Sequence, residues 1–205
     1  MEILTIEERI ARLESFGEWL RTRGLIAAPT RLGRYIKTMG RLAPLLTKGR
    51  RPSHEDFDTY LYTLREVDEL LWVYKGLLKA EPPGVVGTLE IAIGGRTLSR
   101  EDSDSTARKY LFELRIASYF LQAAFDLDLS QDADLTIQLK DDALLHVECK
   151  RPESVTKIRR RAKDALAQLQ RRFVTNPDIR SFGLVANRRR QVVASRSRVS
   201  DRRDR

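Results

Sequence analysis

Asp134, Glu148 and Lys150 are the residues of this chain whose types and spacing suit chemistry. They lie in two segments of strict alternation. Leu135, Ile137 and Leu139 alternate with Thr136 and Gln138, and Leu145, Val147 and Cys149 alternate with His146, Glu148 and Lys150, which predicts an antiparallel hairpin from Gln131 to Pro152. A three-residue loop, Lys140 to Asp142, centres the pairing on Asp141 and sets Asp134 opposite Glu148. Such loops commonly end on a left-handed residue, a conformation Asp142 tolerates better than most. Loops of two or four residues would send the two carboxylates to opposite faces. In the three-residue register their Cβ atoms stand about 5 Å apart, and Lys150 projects from the same face.

Two carboxylates that close repel unless a cation lies between them, and hard oxygens select Mg²⁺ or Mn²⁺ over softer metals. A lysine beside that cation can orient an attacking water and stabilise charge developing on a phosphate oxygen. The plain alternative is a solvated hairpin face with a cross-strand ion pair.

Asp134 followed by Glu148, Cys149 and Lys150 resembles the signature of the PD-(D/E)xK, or restriction-endonuclease-like, nuclease superfamily. Glu148-Cys149-Lys150 is the only acid-x-Lys triplet in the chain, and it closes an apolar strand. The segment FELRIASYF with Glu113, and a later helix with Gln168, resemble the flanking parts of that superfamily. The resemblance covers roughly Asp102 to Ala186; Ala133 stands where the family usually has proline. It implies an α/β fold with a mixed sheet flanked by helices, and Mg²⁺- or Mn²⁺-dependent hydrolysis of phosphodiester bonds, DNA being the expected partner. Asp134, Glu148 and the backbone carbonyl of Cys149 would hold the metal, and Lys150 would position or activate water. Glu113 and Gln168 would complete the site, Glu113 as a third acid near a second ion. Read without the resemblance, Glu113 is an i, i+4 partner of Lys109 and Gln168 a plain exposed helix residue. The same fold without turnover would be a nucleic-acid-binding or protein-interaction module.

The elements that must position these residues begin far upstream. Thr5 and Glu8 form a capping box for a helix that Gly24 closes. A second helix is expected from Pro29, with Leu32, Ile36 and Met39 on one side, fading near Gly40 or Pro44. Ser53 caps a third, whose stripe is Phe57, Leu61, Leu64, Leu71, Tyr74 and Leu78. Residues 1–81 therefore read as a helical subdomain, with aromatics suited to its core or to an interface with a second copy or another protein. Pro82-Pro83-Gly84 is the boundary, and residues 85–186 make up the core domain. Val85 to Ile93 suits a strand, with a helical turn as the alternative.

EDSDST, from Glu101 to Thr106, caps a helix reaching Phe125 whose apolar face is Ala107, Tyr110, Leu114, Ala117 and Leu121. After the hairpin, Ser154 caps another, with Val155, Ile158, Ala162, Ala165, Leu166 and Leu169 inward. Arg151, Lys157, Arg160 and Arg161 make its start basic and suit a phosphate clamp, or a solvated face. SFGLVA, Ser181 to Ala186, reads as a buried strand that extends the sheet.

Composition sets the outer bounds. The chain has 205 residues, 41% of them hydrophobic, enough for a substantial core. The net charge of +9 owes +6 to the stretch from Asn187 to Arg205, with eight arginines and two aspartates. The remainder is close to balanced, so charge alone is no argument for nucleic acid. Residues 187–205 have no periodicity and few apolar residues, and are expected to be disordered. A single cysteine excludes an internal disulfide and a multi-cysteine metal site, and no apolar run is long enough for a membrane span. MEILTIEERI is acidic and amphipathic, unlike a signal peptide, so a cytoplasmic protein is expected.

Overall fold

The computed structural model describes residues 4–26, 29–47, 53–98, 101, 104–139, 143–152, 155–175 and 180–187. Helix α1 (Ile6–Arg21) starts as expected: the Thr5 hydroxyl accepts the Glu8 amide at 3.2 Å, and the Glu8 carboxylate accepts the Thr5 amide at 2.7 Å. It closes on Gly24, whose φ of +78° lets Leu25 N–H reach the Leu20 carbonyl and Gly24 N–H the Arg21 carbonyl, both at 3.0 Å.

Helix α2 (Arg31–Thr47) does not fade at Gly40 or Pro44 but runs through both. Proline inside a helix costs about 3 kcal/mol. Leu32, Tyr35, Met39 and Leu42 are all buried along this helix, and each such side chain is worth roughly 1.5–3 kcal/mol, so packing outweighs the break. Helix α3 (His54–Leu77) is capped by the Ser53 hydroxyl, which accepts the Asp56 amide at 3.1 Å. Its buried face matches the expected stripe only in part: Leu71 is buried, and Leu64 and Tyr74 pack partly buried against the core. Tyr60, Thr63, Val67, Leu70, Val73 and Leu77 face inward, whereas Phe57, Leu61 and Leu78 are exposed. The buried face extends one residue, about 100° around the helix, beyond the expected stripe, because α3 packs on α1 and α2 and also on a later helix.

Helix α4 (Val85–Ala92) replaces the strand expected there. Val85, Thr88, Leu89 and Ala92 are buried at helical spacing, a period that a short apolar run does not reveal by itself. Gly84 before it has φ +80°, and an added Cβ would stand 2.7 Å from the Leu129 and Ser130 backbone. Helix α5 (Thr106–Gln122) lies against α3. Their closest approach is at Gly76, where a Cβ would meet Ser118 at 2.7 Å. The N-cap of α5 is Ser105, which makes no side-chain cap hydrogen bond; Asp104 before it accepts the Thr106 amide at 2.9 Å. The helix ends before Phe125, at Ala124 with φ +60°.

Four strands follow the order β1 (Leu127–Asp128), β2 (Leu135–Gln138), β3 (Leu144–Lys150) and β4 (Ser181–Asn187), with helix α6 (Val155–Thr175) crossing between the last two. The first two pairings are antiparallel and the third parallel, so the fold is α/β with a mixed sheet. The hairpin register is the expected one. Leu135 pairs with Val147 and Ile137 with Leu145, and Leu139 N–H meets the Ala143 carbonyl at 2.8 Å. This leaves the three residues 140–142 for the loop, which lies outside the described residues, as do Ser154 and the tail beyond Asn187.

Strand β4 is not the buried strand expected. It is the last in the sheet order, and Phe182 and Leu184 are 47% and 42% exposed. On α6, Ala165 and Leu169 are buried, but Leu166, about 100° round the helix from Ala165, is turned to solvent. One hydrophobic cluster runs from Leu13 of α1 through α3, α4 and α5 to Cys149 of β3, across the Pro82–Gly84 boundary. None of the described helices is long and apolar enough to cross a membrane.

Candidate functional site

Strand pairing brings the three central residues together. Asp134 precedes β2, and continuing the β2–β3 register sets it opposite Glu148. Its Oδ2 accepts the Cys149 amide at 2.7 Å, which fixes the carboxylate against the far strand. The backbone group of Cys149 that meets Asp134 is thus its amide. Lys150 Nζ donates to Glu148 Oε2 at 2.6 Å and lies 3.7 Å from Asp134 Oδ2. The ammonium therefore stands between the two carboxylates, in the place where a bridging cation would neutralise them.

This polar face is not the solvated one that simple alternation suggests. Glu148 and Thr136 are buried, and Thr136 shares a hydrogen bond with His146 at 3.3 Å. Burial, then the nearby Arg172, lowers the pKa of His146, so the ring is neutral at neutral pH. On the opposite face the Cys149 thiol is buried in the core. Burial, with Asp134 and Glu113 adding to it, pushes the thiol far up, which leaves it inert.

Helix α5 supplies Glu113 and Lys109 together. Lys109 Nζ lies 3.4 Å from Glu113 Oε1 and 4.0 Å from Asp134 Oδ1, so Glu113 pairs with Lys109 along the helix and the lysine links it to Asp134. Burial, then repulsion from Asp134, raises Glu113 to about 7 despite Lys109. Burial alone would lower Lys109, but Glu113 and Asp134 outweigh it and raise its pKa. Lys109 is also the site's route to water, its side chain 43% exposed against 14% for Lys150.

Helix α6 supplies the residue that the sequence reading missed. Arg172 donates through Nη1 to Glu148 Oε1 and through Nη2 to the backbone carbonyl of Asp132. The available signal was spacing: Arg172 follows Gln168 by four residues and so shares its helix face. Gln168 itself is half-buried, with an Oε1 that is buried and accepts no hydrogen bond. Lys157, Arg160 and Arg161 are exposed on the first half of α6, and Arg151 is half-buried at the end of β3. The contacts to Asp134 and Glu148 described above come from Lys150, Lys109, Arg172 and the Cys149 amide instead.

These residues suit a hard divalent cation in donor type. Asp134 and Glu148 offer carboxylate oxygens across one strand pair, Glu113 Oε1 is shared with Lys109, and Gln168 Oε1 is a buried acceptor without a hydrogen bond. Glu113, Asp134 and Glu148 are balanced here by Lys109, Lys150 and Arg172. Among the described residues no three acidic, histidine or cysteine side chains form a ready-made metal cage, so Lys150 must give way for a cation to enter. Comparisons with protein-family models, with curated proteins and with solved structures find no match to this chain.

Proposed function

We propose that this chain is a metal-dependent phosphodiesterase of the restriction-endonuclease-like type, hydrolysing nucleic acid and DNA in particular. The observation that carries the reading is the convergence of Asp134, Glu148 and Lys150, delivered by one hairpin register. Mg²⁺ or Mn²⁺ held by Asp134 and Glu148, with the Cys149 carbonyl as a further oxygen, would act as a Lewis acid on the scissile phosphate. Lys150, once released from the carboxylates, orients the attacking water and stabilises charge on a phosphate oxygen. Glu113, paired with Lys109 beside Asp134, would be a further oxygen donor, and Gln168, on the helix face of Arg172, another. Lys109 contacts the substrate backbone at the solvent side, and Lys157, Arg160 and Arg161 extend that positive surface along α6.

A Mg²⁺- or Mn²⁺-dependent cleavage assay on plasmid, linear and single-stranded DNA tests this, with Lys150→Ala as the control. Cleavage that survives the substitution removes the mechanism. One observation favours a second reading, a binding module without turnover: both carboxylates are already neutralised by Lys150 and Arg172. Retention of DNA by the wild-type chain, with no cleavage in either metal, would select it.

A further inference from the structure

We propose that Arg172 is the positioning residue that sets the spacing of the two carboxylates, an inference that rests on the phosphodiesterase reading above. Its guanidinium is committed at both edges, to Glu148 Oε1 on β3 and to the Asp132 carbonyl in the turn that leads into β2. Asp132 is two residues before Asp134. Arg172 therefore ties the strand bearing one carboxylate to the turn bearing the other. The turn is stiff on its own account, because Asp128 Oδ1 accepts both the Ser130 amide at 2.7 Å and its hydroxyl at 2.6 Å, and Oδ2 accepts Gln131 at 3.0 Å.

The consequence falls on individual oxygens. Arg172 occupies Oε1 of Glu148 and leaves Oε2 directed at Lys150, so Oε2 is the oxygen offered to a cation. The Cys149 amide holds Asp134 by Oδ2, which also lies 3.7 Å from Lys150, and leaves Oδ1 facing Lys109 at 4.0 Å. Each acid is held by one oxygen and presents the other, an arrangement in which the residues behind the ligands determine affinity. A planar fork spans two acceptors on different strands; the point charge of a lysine reaches one at a time.

The test is Mn²⁺ binding to the full chain in the absence of DNA, by isothermal titration and electron paramagnetic resonance, with thermal melting alongside. Wild type is expected to bind Mn²⁺ and Asp134→Asn to lose it. Arg172→Met is expected to weaken binding by about 10- to 100-fold. The exposed neighbour substitution Arg171→Met should leave it unchanged. Arg172→Lys keeps a charge on Glu148 without the reach to Asp132, and should bind about tenfold more weakly than wild type with an unchanged melting temperature. It decides the matter if Arg172→Met does not fold. Wild-type affinity in Arg172→Lys, or in a folded Arg172→Met, overturns the positioning role alone. A wild-type chain that takes up no Mn²⁺ overturns the metal reading, and this inference with it.

Discussion

Two clusters of buried charge among the described residues are built in opposite ways. Among the helices, Glu66 of α3 accepts from Arg108 of α5 and lies 3.6 Å from Arg31 of α2, while Tyr35 adds its hydroxyl at 3.3 Å. Arg31 also donates to the Ala92 carbonyl at 2.6 Å, and Arg108 to those of Arg96 and Thr97. All four side chains are sealed from water; burial and the Glu66 charge push the Tyr35 hydroxyl far up. The surplus in this knot is of donors, since Arg31 Nε and Nη1 have no hydrogen-bond acceptor. At the sheet the carboxylates of Glu113, Asp134 and Glu148 converge on Lys109, Lys150 and Arg172, and Lys109 opens the cluster to solvent. Buried charge by itself therefore marks no site. A sealed excess of donors locks helices together, whereas a solvent-connected cluster of carboxylates is where the proposed cation would sit.

The comparison breaks most readily at Glu66. Glu66→Ala strands two buried guanidiniums and should cost about 3–5 kcal/mol in denaturant unfolding, with Mn²⁺ uptake by the folded fraction unaltered. A milder loss would mean that the knot is wetter than its burial implies. At the sheet, Lys150→Ala should reduce cleavage by about 10²- to 10³-fold, worth roughly 3–4 kcal/mol of barrier, while the melting temperature changes little. Glu148 keeps Arg172 in that variant, and Asp134 keeps the Cys149 amide.

Glu113 sharpens the contrast through pH. Its carboxyl is raised from 4.5 to about 7 in the folded chain, so between those values the native state binds more protons than the unfolded one, and stability falls as pH rises. Glu113→Gln should flatten that slope in the metal-free protein and gain up to about 3 kcal/mol above neutrality, read from melting curves across pH. A wild-type profile that is already flat would show that Lys109 neutralises Glu113 outright. The smallest effects belong to Arg160→Ala and Arg161→Ala, exposed on α6. Each should alter stability by less than about 0.5 kcal/mol, and should reduce the slope of DNA affinity against salt by about one if it contacts a phosphate.

Features decided within a few residues were legible from the sequence. The capping box of Thr5 and Glu8, the Gly24 closure and the Ser53 cap all stand as read, because each joins backbone and side chain within one turn. The hairpin register stands too, since a period of two and a loop of three residues admit one pairing with a consistent apolar face, and that pairing joins Asp134, Glu148 and Lys150.

Whatever depends on which surface meets which was decided only by the tertiary structure. The buried face of α3 reaches beyond the expected stripe because α5 covers a side that periodicity takes for solvent, and α4 is a helix because its small apolar face finds a helical neighbour. Strand β4 is exposed because it ends the sheet order, although its composition is that of a buried strand. Arg172 meets Glu148, twenty-four residues away, only because α6 crosses back over the hairpin; its spacing from Gln168 gives the helix face but not the partner. The sequence by itself determined the pair of acids and their lysine, since strand geometry repeats every two residues. The chain's packing in space decided what holds them, since a charge is paired by whichever helix passes within reach.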